Sequence, residues 1–574
     1  AAAHAAGLAV VLRPGPHANA ELTYFGFPEH IVREPDIHAR AAHGGPVWLP
    51  APPRAFPVPS YASSRFHAAV RAWYAEVARV IGPHLAPDGP VVALGVDNEA
   101  QLFFRLGAYD HDYHPEAIAA WQADVAAGLL GDREAIGLEP EAPRAWDPAH
   151  AARCVAWVRG KSRYLARALA QFATAMDDVG LAGIARFHNL PPGEPALSDA
   201  PALEAAIGGP CGIDLYSPRR DLALVRQRAL HAVGSSELPL VPEAGLGWVP
   251  WLPPIADPGD DARGKDVLLA ALGAGIRGFS LYMAVARDRF YGAPIDEDGV
   301  VRGDAAWIPR LVAALDRVDW PALRRTAKVA LVLGRADLRF GQASSVAEPM
   351  TPVLLEALGL GPGGLAELGR DDDAVLARRW YGAVASALDA AQVPYVIVDE
   401  GCPIERLRGF AAVIAPTLDR VDRGLWRRLK ALADERAVVV FGPGAPTKDE
   451  LGAPLAADLA PPRRAGRIRA GSLTDLDGLA DDLAALGGDL PDDWAVVRPA
   501  GVTAAVFADA SGQPRAIAIT NLTDRAVHAE LVVAPGMQLV DALTDDAFAG
   551  AASGNARISL PAFAARLLVV AHLG

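Results

Sequence analysis

The sequence predicts an α/β protein: a (β/α)8 TIM barrel without its first two strands, then an open α/β sheet, then a small C-terminal β-sandwich. Three observations predict it. Short apolar runs alternate with amphipathic helical stretches over residues 1–325, the pattern of a parallel sheet with βα connections. Polar and acidic residues fall at or just after the ends of those runs, where a barrel gathers its chemistry. Over residues 496–574 the long helices give way to short strand-like runs separated by Gly, Asp and Asn.

The elements follow in order. Leu8–Leu12 is the first compact apolar run, followed by a loop rich in Pro, Gly and His. Phe66–Ile81 carries Val70, Trp73, Val77 and Val80 at helical spacing, which predicts an amphipathic helix with those four on its apolar face. Val91–Val96 is the next strand and ends at Asp97-Asn98-Glu99. A long helix covers about Ala151–Val179, interrupted only by Gly160. Further strands are predicted at Leu181–Phe187, Gly212–Tyr216, Pro239–Glu243 and Ile276–Met283. Their ends carry His188-Asn189, Tyr216, Glu243 and Tyr282, as the first strand's end carries Arg13. A doubly wound sheet would alternate in the same way, so periodicity alone leaves both architectures open. Six strands precede residue 285 and a barrel needs eight, so the chain is expected to be an N-terminally truncated fragment.

A second α/β unit spans 326–460. It has strands near Ala327, at Tyr395–Val398, Ala412–Ala415 and Ala437–Phe441, and helices at Val375–Ala391 and Gly424–Glu435. It reads as a flavodoxin-like sheet. Residues 461–495, opening on the Pro- and Arg-rich segment Ala460–Ala465, are expected to form a connector with a helix. The β module of 496–574 has runs at Ala504–Phe507, Ala516–Asn521, Ala526–Val533, Arg557–Ser559 and Ala565–Ala571.

Composition narrows the function. The 574 residues are 51% hydrophobic and 21% charged, enough to pack two to four cores. A net charge of −14 supplies no basic excess for nucleic acid and suits a neutral substrate. No run approaches the roughly 18 apolar residues of a membrane span. Cys154, Cys211 and Cys402 are scattered and form no CxxC pair, so neither a zinc site nor a disulfide framework is expected. His17 and His188 lack metal-ligand spacing. Gly442-Pro443-Gly444 lacks the spacing of a phosphate loop and reads as a tight turn. No metal and no cofactor are therefore predicted, and flavin or nucleotide binding by the second unit has no support. Arg423, Arg427 and Arg428 lie on or beside one helix and read as a solvated or interface face.

Glu99 and Glu243 stand at the ends of two predicted strands. Retaining cleavage of a glycosidic bond needs two carboxyl groups facing the anomeric carbon, one protonated and one ionised. Asn98 beside Glu99 could hold a sugar hydroxyl. Taken singly, Glu99 also reads as a helix-start carboxylate, and Glu243 as part of a common turn.

Five segments, in order, resemble the family 35 β-galactosidases of the clan A glycoside hydrolases. They are Arg13-Pro14-Gly15-Pro16-His17-Ala18-Asn19-Ala20-Glu21, Phe25-Gly26-Phe27-Pro28, Gly89 to Glu99 (GPVVALGVDNE), Pro242-Glu243-Ala244-Gly245-Leu246-Gly247-Trp248, and Phe290-Tyr291-Gly292-Ala293-Pro294-Ile295. The resemblance covers about residues 1–300. It implies that Glu99 is the acid/base and Glu243 the nucleophile. Glu21, with Asn19 and Ala20 in its loop, would bind sugar hydroxyls, and Tyr291, Tyr282 and Trp248 would line the pocket. The other readings are Glu21 as a partner of Arg13, with sugar binding preferred, Tyr291 as loop packing, and Trp248 as core. The family's Cys and Trp around its galactose-binding Glu are Asn19 and Leu22 here, its Tyr is His17, and the loop after Met283 is shorter. The second unit and β tail are similar in architecture to the family 42 β-galactosidases, which implies a middle domain able to form homo-oligomers. The expected activity is exo-hydrolysis of a terminal β-galactoside. The alternatives are another terminal sugar (β-glucoside, β-fucoside, α-arabinoside) or a non-catalytic carbohydrate-binding barrel. The expected partner is an oligosaccharide or glycoside, with no nucleic acid and no membrane.

Overall fold

The computed structural model describes residues 2–18, 22–51, 54–100, 102, 107–191, 199–217, 219–246, 264–287, 292–345, 372–435, 438–459, 468–470, 496–532, 537–549 and 555–572. Of the predicted site residues, Asn19, Ala20, Glu21, Trp248 and Tyr291 lie outside the described residues, as does the Ala460–Ala465 segment.

Six strands run parallel in sequence order. β1 (Val10–Leu12), β2 (Val91–Gly95), β3 (Ala185–Leu190) and β4 (Cys211–Ile213) form one sheet, each beside its predecessor. β5 (Leu240–Gly245) pairs with β6 (Gly278–Tyr282). The chain leaving β4 bridges to β5 through Leu215 and Ala244, which carries the order across. β3 begins later than its apolar run suggests. Gly180 and Gly183, both at positive φ, unwind the preceding helix first, so His188 and Asn189 sit inside the strand rather than beyond it.

The helices between these strands follow from their apolar faces and caps. α1 (Ser64–Ile81) starts where the Ser63 side chain accepts from the Phe66 amide. Its buried face is Phe66, Val70, Tyr74 and Val77, not the stripe through Trp73 and Val80 that spacing alone allowed. Both stripes fit a 3.6-residue period. The Tyr74 hydroxyl donates to Gly15 O and fixes the rotation, leaving Trp73 half exposed with its indole N–H on Pro14 O. α2 (Pro115–Ala126) packs on α3 (Ala151–Met176), in which Gly160 is uninterrupted helix. A Cβ there would stand 2.6 Å from Trp121 Cδ1, so glycine is needed for the close approach. Gly160→Ala is expected to cost about 1–3 kcal/mol by overpacking, seen as a lower denaturation midpoint. An unchanged or raised midpoint would contradict this packing.

A second parallel sheet holds β7 (Val329–Leu333), β8 (Tyr395–Asp399), β9 (Ala412–Thr417), β10 (Val438–Pro443) and β11 (Ile468–Ala470). Their spatial order is β8-β7-β9-β10-β11, the 2-1-3-4-5 order of flavodoxin-like sheets. The runs VALVL and YVIVD are buried throughout, as a sheet covered on both faces requires. Of the arginine group, Arg423 is paired with Asp449, and Arg428 donates to Glu400 O.

Toward the C-terminus the strands are antiparallel. Val496–Arg498, Val527–Val532 and Asn555–Leu560 form one sheet. Val502–Ala508, Pro514–Asn521, Met537–Asp541, Ala547–Ala549 and Ala565–His572 form another, extended by Arg324–Arg325. Val497, Leu531 and Ile558 from the first meet Val502, Ile519 and Leu568 from the second in one buried cluster. The second sheet also rests on the helix Lys265–Ala274: buried Asp266 accepts from the Ala565 amide, and a Cβ on Gly273 would stand 2.9 Å from Ala518 Cβ.

Candidate active site

The C-terminal ends of the six parallel strands bring together Arg13 after β1, Asn98 and Glu99 after β2, Asn189 in β3, Asp214 and Tyr216 after β4, Glu243 in β5, and Tyr282 closing β6. One carboxylate oxygen from each of Glu99, Asp214 and Glu243 lies within 4.8 Å of the other two, and all three residues are buried. Both predicted glutamates therefore meet, from strands far apart in sequence. Glu99 closes the bend 97–99, in which Asp97 (φ 60°) and Glu99 (φ 44°) take the left-handed conformation. Non-glycine residues seldom adopt it, and it concentrates at functional sites.

Glu243 is held from three sides. The Arg13 guanidinium pairs with its Oε1, the Tyr216 hydroxyl donates to its Oε2, and Asn189 Nδ2 donates to Oε1 at 3.2 Å. Arg13 also donates to Asn98 Oδ1 (3.1 Å) and Pro242 O (3.0 Å). Asn98, predicted to hold a sugar hydroxyl, takes a second hydrogen bond from Asn189 at 3.0 Å. Tyr282 lies edge-on to Tyr216, ring centres 6.3 Å apart. The three carboxylates are close enough to share a cation. However, the Arg13 cation and one hydrogen of the Asn189 amide are directed at Glu243 Oε1, and positive donors there oppose a metal ion.

Behind this layer lie three more buried titratable groups. His17 stacks on Phe25 and Phe27, ring centres 5.2 and 5.8 Å away, while its backbone amide donates to Asp97 Oδ1. The Asp97 carboxyl also accepts from Tyr61, and burial pushes it up to about 7. His188 Nδ1–H donates to Val96 O. Burial pushes both imidazoles down to about 4. Unfolded, each would titrate near 6.5, so their contribution to stability is full above that pH and is lost as pH falls through about 4. As pH falls from 7 to 4, the thermal midpoint of His188→Gln is expected to gain on the wild type's by the equivalent of about one proton, since the raised Asp97 carboxyl acts in the opposite sense and on both proteins alike. Parallel curves for the two proteins would remove this assignment.

Three participants had a weaker signal. Arg13 was legible as a strand-end residue, but as a partner of Glu21 rather than of Glu243. Asn189 was legible only as a polar strand end. Asp214 was missed because it sits inside an apolar run. The available signal was its period-2 spacing from Tyr216, which puts both on one side of an extended segment.

Neither a protein-family model nor a curated protein sequence matches the chain. Solved structures do match. The chain is similar over 95% of its length to 88% of the β-galactosidase from Bacillus circulans sp. alkalophilus, with a TM-score of 0.68 at 13% identity. Over 99% it is similar to 89% of a GH42 β-galactosidase from G. stearothermophilus (TM-score 0.65, 13% identity). Over 98% it is similar to 75% of a GH42 exo-carrageenase from Bacteroides ovatus (TM-score 0.63, 12% identity). Family 42, matched by the sequence only in the architecture of its later domains, thus supplies neighbours along nearly the whole chain. At such identities the likeness is one of fold, and the fold of this chain is that of these glycoside hydrolases.

Proposed function

We propose that the chain is a retaining exo-glycoside hydrolase acting on a terminal β-galactoside. The observation that carries this reading is the pair Glu99 and Glu243, with an oxygen of one carboxylate within 4.8 Å of an oxygen of the other at the ends of two parallel strands. Double displacement works with carboxyl groups about 5–5.5 Å apart, whereas inversion needs about 6.5–9.5 Å to admit a water. Glu243 Oε attacks the anomeric carbon while Glu99 gives its proton to the departing glycosidic oxygen. Glu99 then takes a proton from water, whose oxygen displaces Glu243 and regenerates both groups. Asn98 stands beside the reacting carbon and serves the sugar hydroxyls.

The six parallel strands are read here as part of a (β/α)8 barrel, and the two antiparallel sheets as a sandwich. The domains are taken as 1–325, 326–460, 461–495 and 496–574, and the middle one is proposed as the route to homo-oligomers. Galactose follows from the β-galactosidases among the structural neighbours and from the sequence resemblance. The exo-carrageenase neighbour, with His17, Asn19 and Leu22 at departing positions, favours a second reading with another terminal sugar.

Two measurements test this. Aryl glycosides of β-galactose, β-glucose, β-fucose and α-arabinose are expected to rank with galactose first. In proton NMR of the reaction, the first-formed free sugar is expected to keep the substrate's anomeric configuration. An inverted first product would sink the double displacement, and a different best sugar would sink the galactose assignment alone.

A further inference from the structure

Asp214 has no part in the chemistry above, yet it lies at its centre and is fully buried. Its Oδ2 accepts from Asn189 Nδ2 at 2.7 Å. The same nitrogen stands 3.0 Å from Asn98 Oδ1 and 3.2 Å from Glu243 Oε1. An amide nitrogen has two hydrogens, and here three acceptors compete for them. The shortest contact takes one hydrogen. The other is shared between Asn98, beside the proposed acid, and Glu243, the proposed nucleophile. Asp214 Oδ1 and Asn189 Oδ1 are buried with no hydrogen-bond partner among the described residues.

We propose that Asn189 and Asp214 form a positioning pair in which Asp214 orients the Asn189 amide and that amide sets the spacing of Asn98 and Glu243. The inference rests on the glycosidase reading for the roles of those two partners. It explains how residues on β2, β3, β4 and β5 are held in register at one point. It also gives the shared hydrogen a task. As Glu243 becomes an ester its oxygen loses charge, and the hydrogen moves toward Asn98, where the sugar hydroxyls lie.

The pair works with Asp214 as a neutral acid. The groups facing it are Glu99 after β2, Glu243 in β5, Tyr216 and Cys211 on its own segment, Arg13 after β1, and Arg228 on the helix Leu222–Ser235. Burial, then Glu243 and Glu99, push the Asp214 carboxyl well above the usual range, against the opposing Asn189 and Arg13. A third negative charge this close to two carboxylates is disfavoured, whereas a neutral carboxyl still accepts from Asn189.

Asp214→Ala and Asp214→Asn separate positioning from charge. The Ala variant is expected to lose kcat by on the order of 30-fold with KM within about threefold, as expected when a hydrogen bond to a working group is removed. The neutral amide of Asp214→Asn is expected to recover about tenfold of that loss, with an alkaline limb of kcat/KM superimposed on the wild type's. An Asn variant as poor as Ala, or one whose alkaline limb moves to lower pH, would overturn the neutral role. Normal kinetics in the Ala variant, with only a lower Tm, would overturn positioning.

A second readout does not depend on turnover. Carbon-13 labelling of aspartate carboxyls, with the Asp214 signal assigned by its absence in Asp214→Asn, is expected to show the chemical shift of a protonated carboxyl at pH 6 in the wild type. The shift of an ionised carboxylate at pH 6, with a midpoint near 4 on further acidification, would overturn the proposal even if the glycosidase assays succeed. A protonated signal in a protein that cleaves no glycoside would instead fault the proposed function.

Discussion

Replacing Glu243 with Gln is expected to lower kcat by on the order of 10⁴ or more, because the amide is a poor nucleophile and no other group takes its place. The reason lies in what surrounds Glu243. Arg13, Tyr216 and Asn189 all direct hydrogens at its two oxygens. An amide in that position offers one acceptor in place of two, and its hydrogens face the Arg13 cation or the Tyr216 hydroxyl. Arg13 keeps its bonds to Asn98 Oδ1 and Pro242 O, so the circular dichroism spectrum is expected to be unchanged. Small exogenous anions such as azide are expected to restore part of the turnover in Glu243→Gly, giving a product of inverted configuration. Substantial activity in Glu243→Gln would remove the nucleophile assignment.

Glu99→Gln is expected to act according to the leaving group. General acid catalysis contributes about 10²–10⁴-fold when the departing oxygen needs a proton. A natural disaccharide or alkyl glycoside is therefore expected to lose that factor. A dinitrophenyl glycoside needs no proton to leave, so its first step is expected to be nearly intact. Its second step slows, since Glu99 no longer takes a proton from water, and a burst of released phenol before the steady state is the expected trace. Equal losses for both substrates, without a burst, would mean that Glu99 has another role. The left-handed conformations at Asp97 and Glu99 make this bend sensitive to its anchors, the His17 amide and the Tyr61 hydroxyl on Asp97.

The element types were legible to different degrees. Continuous apolar runs such as VALVL and YVIVD, short and rich in β-branched residues, read as strands covered on both faces, and they occur where expected. β3 was displaced because the glycines that unwind the preceding helix act on φ, which hydrophobic periodicity does not report. The buried face of α1 was rotated because two stripes fit one period, and what distinguishes them is tertiary: the Tyr74 bond to Gly15 O and the rings of Phe27, Tyr61 and Phe172 around Phe66.

The site divides along the same line. Glu99, Asn98, Glu243 and Tyr282 could be named from the sequence because chemistry at a parallel sheet collects at strand ends, and strand ends can be read from local pattern. The sequence alone determined the α/β alternation, the change to antiparallel strands at the end, and two carboxylates placed to meet. Tertiary structure decided the company they keep. Arg13 turns to Glu243, Asn189 reaches three acceptors, and Asp214 becomes the third buried carboxyl. None of these is a local property. Each depends on the register between strands that lie tens to hundreds of residues apart, and on the low dielectric their packing creates, which makes an unpaired or like charge costly enough to fix which groups stay neutral.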